Sequence, residues 1–96
     1  MADAACRADL WLWRARFFKT RSLAATFVSA GRVRHFRGAL ERRLEKPSAA
    51  LAPGDELIFV LSERIIALRI EALGTRRGPA SEARGLYSLV ADQSES

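Results

Sequence analysis

The side chains best suited to chemistry are cations near the junction of two predicted helices. Arg16 and Lys19 lie three residues apart, which makes them neighbours on one face of a helix. Thr20 is a natural N-cap for the second helix, and Arg21 follows it directly. The first-turn amides of a helix lack backbone partners and carry positive partial charge, so they favour an anion. This basic corner suits a phosphate backbone better than a small molecule.

Further arginines are candidates for the same kind of contact. Arg32 and Arg34 follow the second helix and can extend the positive charge as a stripe along the next strand. The alternative for this stripe is a solvated surface that serves only solubility. Arg76 and Arg77 lie in a later loop, where they either form a second contact or anchor the last helix. Arg14 falls in the apolar arc of the first helix, so packing of its stem is the alternative to binding.

Large aromatic residues allow base stacking as well as core packing. Trp11 and Trp13 are interpreted as core residues, with stacking on bases as the alternative. Phe17, Phe27 and Phe59 are predicted to lie in the core, because a domain of 96 residues needs large apolar side chains to be stable.

Charge is distributed unevenly along the chain. Residues 1–46 carry a net charge of +7, whereas residues 47–96 carry −2. Fourteen of the sixteen cationic residues are Arg, whose guanidinium binds phosphate bidentately and stacks on bases. A genome rich in Arg codons would explain the preference for Arg, but it would not explain the asymmetry. The asymmetry predicts that a polyanion binds the first half of the chain.

Several classes of protein are excluded by the residues available. Cys6 is the single cysteine, so no disulfide forms within the chain and no thiolate metal cluster is possible. No apolar run reaches the ~20 residues that span a bilayer, and no signal-peptide pattern is present, so we expect a cytoplasmic protein without a membrane partner. His35 has no second ligand nearby, and catalytic triads, paired carboxylates and phosphate-binding glycine loops are missing. We therefore expect no catalytic residues, no metal site, no cofactor and no enzymatic activity.

The apolar pattern predicts the two helices that form the corner. The first begins at Asp9, whose charge is favourable at a helix N-terminus, and it includes Phe17 and Phe18. The second begins after Thr20 and is closed by Gly31, which can adopt the left-handed stop conformation. Four apolar residues share one side of the second helix: Leu23, Ala24, Phe27 and Val28.

The remaining elements predict a small sheet and a last helix. Residues 32–36 are extended, and residues 56–61 and 65–70 form a β-hairpin. Residues 38–47 are left open between a helical turn and a solvated charged loop. Pro79 begins a last helix whose apolar face comprises Ala83, Leu86, Tyr87 and Val90. The order predicts an α+β fold in which a helix covers one face of the sheet.

Three short motifs resemble the S4-type RNA-binding domain, also called the alpha-L motif. They are Thr20-Arg21 at the corner, Gly31-Arg32-Val33 before the strand, and Gly54-Asp55-Glu56-Leu57 at a turn. The resemblance implies two N-terminal helices packed on a small, mostly antiparallel sheet, here followed by a C-terminal helix. The predicted organisation is a flexible leader (1–8), the S4-type domain (9–74) with an atypical insert (38–46), a basic loop plus C-terminal helix (75–91) and a polar tail (92–96).

A narrower set of motifs resembles the ribosome-associated heat-shock protein 15 family. The blocks are Arg7-Ala8-Asp9, Trp11-Leu12-Trp13, Arg16-Phe17-Phe18-Lys19-Thr20-Arg21, Leu23-Ala24, Arg76-Arg77, Pro79-Ala80-Ser81-Glu82-Ala83 and Leu86-Tyr87. Between the blocks, the chain departs from the usual G-x-V-x-V-N-G run: the Asn is missing and Gly38 arrives one residue late. We expect a remodelled turn there, with altered RNA contacts.

The resemblance implies a function on the ribosome. Members of this family associate with free large ribosomal subunits that still carry peptidyl-tRNA and help to recycle them. The implied partners are ribosomal RNA and the large ribosomal subunit, with tRNA as a further candidate, and we expect a monomer in isolation. The implied RNA-binding residues are Arg16, Lys19, Thr20, Arg21, Arg32, Arg34, Arg76 and Arg77.

Other functions fit the residues less well. A DNA-binding helix-turn-helix regulator is one, although the polar face of its second helix would offer only Ser22, Thr26 and Ser29 to read bases. A general module for structured RNA is another. A protein-binding module that uses the hairpin and last helix is supported only by the neutral-to-acidic second half.

Overall fold

Two short helices lie on one face of a five-stranded antiparallel sheet in the computed structural model, which describes residues 5–90. The elements in chain order are β1 (Cys6–Arg7), α1 (Ala8–Arg14), α2 (Arg21–Ser29), β2 (Val33–Arg37), β3 (Leu40–Leu44), β4 (Ala50–Leu51), β5 (Glu56–Leu61), β6 (Arg64–Ile70), α3 (Ala80–Ala83), a 3-10 turn (Arg84–Leu86) and β7 (Tyr87–Leu89). The sheet order is β3-β2-β5-β6-β7, and β1 pairs with β4 as a separate ribbon. The predicted α+β fold is confirmed.

The predicted β-hairpin is present, and its turn is tighter than the sequence indicated. Leu61 pairs with Arg64, so only Ser62 and Glu63 form the loop. Both loop residues have positive φ angles, 53° and 65°, as a type I′ turn requires. This turn matches the twist of the two strands and fixes their register.

A second hairpin replaces the helical turn or charged loop considered for residues 38–47, so both interpretations were wrong. β3 pairs with β2 along its whole length, from Val33 opposite Leu44 to Arg37 opposite Leu40. Gly38 allows the two-residue turn because its φ of 60° costs glycine little. β3 carries charged side chains and lies at the sheet edge, where charge discourages pairing with other chains.

The leader is structured from residue 6 onward, contrary to the prediction of a flexible segment through residue 8. Cys6 pairs with Leu51 and Arg7 with Ala50, and Ala8 already begins α1. This pairing joins residues more than forty positions apart, which no local pattern reveals. Residues 1–4 and the predicted polar tail lie outside the described residues.

The last helix is much shorter than predicted. α3 ends at Ala83, and Tyr87 lies in β7 opposite Ile70 instead of on a helix face. The Tyr87 ring packs edge-on against Trp11, with ring centroids 6.4 Å apart. A sheet edge and an aromatic contact therefore override the helical spacing of this segment.

The first helix also ends earlier than the sequence indicated. Its last residue is Arg14, and Arg16 adopts the left-handed conformation with a φ of 68°. Phe17 and Phe18 therefore belong to an irregular connection between α1 and α2. The prediction that Arg16 and Lys19 are neighbours on a helix is wrong.

An aromatic cluster joins the helices to the sheet. Trp11 is fully buried, and its Nε1 donates to the carbonyl oxygen of Ala72 at 2.9 Å, so the interpretation of Trp11 as core is confirmed. Phe59 is buried between the half-buried Phe17 and Phe27, at centroid distances of 5.5 and 5.9 Å. Within residues 5–90, no helix is long and apolar enough to cross a bilayer.

Candidate nucleic-acid interface

The N-terminus of α2 is formed by a side-chain cap. Thr20 is extended, and its Oγ1 accepts a hydrogen bond from the amide of Leu23 at 3.1 Å. The N-cap role predicted for Thr20 is confirmed, and its hydroxyl is used within the helix. Arg21 and Ser22, the first two residues of α2, are exposed. Their backbone amides belong to the first turn of the helix and lie at the same surface as the Arg21 side chain. An anion placed there would meet amide dipoles and the charge of Arg21 together.

The corner between α1 and α2 is held by the C-terminal loop. Arg77 donates from Nε to the carbonyl oxygen of Trp13 at 3.2 Å and from Nη2 to that of Phe18 at 3.3 Å. Its guanidinium also lies 5.8 Å from the Trp13 ring centroid. Arg16 adds a weaker bond to the carbonyl oxygen of Gly78 at 3.4 Å. Arg77 thus anchors the corner, and an RNA contact by Arg77 stays a prediction.

Arg76, which precedes Arg77 in the chain, pairs with the last helix. Its guanidinium binds the Glu82 carboxylate through two hydrogen bonds of 2.7 and 3.2 Å. The side chain remains largely exposed. This bidentate pair lowers the pKa of Glu82, so the acid stays ionised near Arg76 at neutral pH.

A buried carboxylate connects the corner to the N-terminal ribbon. Asp9 accepts two hydrogen bonds of 3.0 Å from the Arg7 guanidinium, and Arg21 lies 3.7 Å away. Burial alone would raise the pKa of Asp9, but the bonds from Arg7 and the Leu10 amide and the two nearby charges hold it below its usual value. Asp9 therefore stays ionised and keeps Arg7 beside Arg21.

A second buried carboxylate organises the β2–β3 hairpin. Asp55 accepts a fork of bonds from Arg37, at 3.0 and 2.8 Å, and a third from Nε2 of the buried His35 at 2.8 Å. Nδ1 of His35 accepts from Arg42 Nε at 3.2 Å, which fixes the tautomer. Burial would raise the pKa of Asp55, but bonds from Arg37, His35 and the Ala52 amide lower it.

These contacts trace one basic track across the molecule. Arg7 is the register partner of Ala50, whose carbonyl oxygen accepts from Arg37 at 3.3 Å. The track therefore runs from Arg21 through Arg7 and Arg37 to Arg42. Arg7 and Arg37 are not among the binding residues predicted from the sequence. Successive side chains of a strand point to opposite faces, so Arg37, two residues after the buried His35 in β2, lies on the same face as His35. This alternation is the sequence signal for Arg37.

The other predicted cations do not all join this track. Arg34 forms an ion pair with Glu41 on the outer face of the sheet, away from the helices. Arg32 lies beside α2, with its guanidinium 5.6 Å from the Phe27 ring centroid. Lys19 is exposed in the corner itself. Arg14 packs inward, where its Nη1 donates to the carbonyl oxygen of Gly74 at 3.0 Å. Of the two interpretations of Arg14, packing and binding, packing is the one observed.

Metal ligands do not cluster in the part of the chain that the structure describes. No group of three or more His, Cys, Asp or Glu residues is arranged to hold an ion within residues 5–90. The buried His35 and Asp55 are used by the arginine network instead.

Comparison with known proteins places the chain among characterised relatives. The structure of heat shock protein 15 from Vibrio cholerae, described as trimeric, is 36% identical, superposes with a TM-score of 0.79, and is matched over 91% of this chain and 83% of that one. The chain belongs to the heat shock protein 15 family. Heat shock protein 15 of Escherichia coli K12 is 36% identical over 89 residues, and the Haemophilus influenzae homologue is 34% identical over 87 residues. No protein-family model matches the chain.

The chain spans 63% of the length of these two curated relatives while 93% and 91% of its own residues are matched.

The sequence blocks that resembled the heat shock protein 15 family come together in space. Arg77 of the C-terminal block donates to the Phe18 carbonyl of the N-terminal block. Blocks from the two ends of the described chain thus meet at the corner and its anchor.

Proposed function

We propose that this protein is a non-catalytic RNA-binding protein that acts on the large ribosomal subunit in the cytoplasm. The observation that carries the proposal is the corner at the N-terminus of α2, where exposed Arg21 and Lys19 flank free first-turn amides. Membership of the heat shock protein 15 family supports a ribosomal RNA as the polyanion.

Binding is expected to rely on phosphate contacts and RNA shape. Guanidinium groups along the track from Arg21 to Arg42 can each engage phosphates without reading base sequence. Arg21 and Arg7 remain about half exposed although both contact Asp9, so each retains donors for a phosphate. Neutralising several phosphates releases counterions, so the affinity should fall steeply as salt rises.

The specific role proposed is the recycling or rescue of stalled, dissociated large subunits that still carry peptidyl-tRNA. A small domain with one basic face suits docking on an exposed ribosomal RNA surface, with tRNA as the second proposed contact. A helix-turn-helix role on DNA is less well supported, because apart from Arg21 at the corner the exposed positions of α2 carry only Leu23 and the short hydroxyl side chains of Ser22, Thr26 and Ser29.

The experiment that tests the proposal is sucrose-gradient fractionation of lysate before and after a treatment that leaves peptidyl-tRNA on dissociated large subunits. We expect the protein to move to the large-subunit peak after treatment and to be released by moderate salt. A protein that stays in the top fractions both times would contradict the proposal. Gel filtration of the pure chain tests the predicted monomer, which a trimer like that of the Vibrio cholerae protein would contradict.

A further inference from the structure

An open apolar cleft lies beside the basic corner, on the solvent side of α2. Its volume is about 330 Å³, and it is lined by Phe18, Leu23, Thr26, Phe27, Ala30 and Arg32. This volume is at the small end of the ~300–1,000 Å³ typical of small-molecule sites, so it suits one ring system.

The cleft exists because part of the apolar side of α2 faces solvent and not the core. Ala24 and Val28 are fully buried, but Leu23 is 52% exposed and Phe27 is only half-buried. The side of α2 that the four apolar residues share is therefore only partly buried, and Leu23 lies at its exposed margin. Positions 23, 26, 27 and 30 instead form a continuous strip along the exposed side of the helix.

Aromatic rings form the floor of the cleft, and a cation stands at its edge. Phe18 and Phe27 pack with centroids 5.0 Å apart and planes tilted by 49°, and Phe18 is the more deeply buried ring. Arg32 places its guanidinium 5.6 Å from the Phe27 centroid. An aromatic ring and a guanidinium plane are the two protein surfaces on which unpaired bases stack.

We propose that this cleft receives one unpaired nucleobase of the bound RNA, stacked against Phe27 and the Arg32 guanidinium. The inference rests on the proposed RNA-binding function and adds the kind of RNA element that is preferred. The cleft and the phosphate site share the first turn of α2, because Leu23 lines the cleft while its amide is capped by Thr20. A nucleotide whose phosphate sits at the corner therefore has its base within reach of the cleft. The rim offers the Thr26 hydroxyl and the Arg32 donors to the edge of the base.

The test compares two RNA hairpins with the same stem, one fully paired and one carrying a single bulged 2-aminopurine. The wild-type protein should bind the bulged RNA about fivefold more tightly or better, as expected for one stacked base. Binding should also reduce the 2-aminopurine fluorescence, because stacking quenches it. Equal affinity for the two RNAs, or unchanged fluorescence at saturation, would overturn the inference.

Variants separate the cleft from the phosphate site. Leu23→Gln should remove most of the preference for the bulged RNA and leave affinity for the paired RNA unchanged. Arg32→Lys should keep the charge but lose part of the preference for the bulged RNA, because an ammonium lacks a stacking plane. Leu89→Gln changes an exposed leucine on the edge strand β7 and should keep the full preference.

The outcomes distinguish the inference from the proposed function. If Leu23→Gln and Arg32→Lys keep the wild-type preference, the base does not enter the cleft, and the exposed apolar strip is available to a protein partner instead. If the wild-type protein binds both RNAs equally and Arg21→Ala weakens both, the inference fails but RNA binding stands. If the wild-type protein binds neither RNA, both fail.

Discussion

Arg77 donates a hydrogen bond from Nη2 to the carbonyl oxygen of Phe18, across fifty-nine residues of chain and a distance of 3.3 Å. The same side chain reaches the Trp13 carbonyl oxygen, so one guanidinium ties α1 to the irregular connection between α1 and α2. The corner that carries the proposed phosphate site therefore depends on the C-terminal loop. This dependence gives Arg77 an effect on binding that differs from that of a direct phosphate contact.

Replacing Arg77 with Ala should weaken RNA binding without changing its dependence on salt. The corner would lose two hydrogen bonds and the contact with Trp13, so the melting temperature should also fall. Arg77→Lys should not restore either property, because an ammonium cannot reproduce the planar fork. Binding isotherms at several salt concentrations and thermal melts measure both effects. A salt slope reduced by about one unit at an unchanged melting temperature would instead make Arg77 a direct contact.

Replacing Glu82 with Gln should strengthen RNA binding a few-fold if Arg76 faces the RNA. The substitution removes the carboxylate that engages Arg76 at 2.7 Å and leaves the guanidinium free for a phosphate. Glu56→Gln is the matched control, since it frees Arg69 from a similar pair on the outer face of the sheet. Fluorescence anisotropy with a labelled hairpin RNA measures both. An equal increase in the two variants would show a general charge effect and would contradict a specific role for Arg76.

Replacing Asp55 with Asn should destabilise the fold at neutral pH by about 3 kcal/mol, because the buried network loses its negative charge and one of its two acceptor oxygens. The folded-state pKa of Asp55 is lowered, so the unfolded chain binds more protons as pH falls through the usual carboxyl range near ~3.9. The wild-type protein should therefore lose this stabilisation as pH drops from about 4 toward the lower folded-state pKa. Asp55→Asn should show a flatter dependence.

Urea unfolding at a series of pH values between neutrality and strong acid measures this difference. Glu45→Gln, an exposed acid just after β3, is the control and should follow the wild-type curve. An Asp55→Asn variant with wild-type stability at neutral pH would contradict the account of the network. Because Arg37 and Arg42 are positioned by this network, the same variant should also weaken RNA binding.

The features that were predictable from the sequence depend on local signals. Thr20 is an N-cap because its hydroxyl reaches the Leu23 amide three residues away, and Gly31 ends α2 with a φ of 74°. The hairpin of β5 and β6 follows from two runs of branched apolar residues with a short polar gap. Each of these signals lies within a few residues of the element that it specifies.

The features that the sequence did not predict depend on distant pairing. β3 is an edge strand with four exposed residues, so it has no apolar alternation to reveal it. The two-stranded ribbon pairs β1, which precedes α1, with β4, which follows β3. Arg37 becomes a candidate binding residue only once Asp55 lies beside it. Leu23 shows the same limit, because helical spacing defines a side of α2 but not how that side is oriented toward the sheet.

The most direct test of the account is the salt dependence of binding between purified large-subunit ribosomal RNA and three proteins: wild type, Arg21→Ala and Arg69→Ala. Arg21 is at the corner, whereas Arg69 is an equally exposed arginine on the outer face of the sheet. We expect Arg21→Ala to bind several-fold more weakly and with a salt slope reduced by about one unit, while Arg69→Ala matches the wild type. Wild-type affinity and slope for Arg21→Ala, or equal losses in both variants, would contradict the claim that the corner binds RNA.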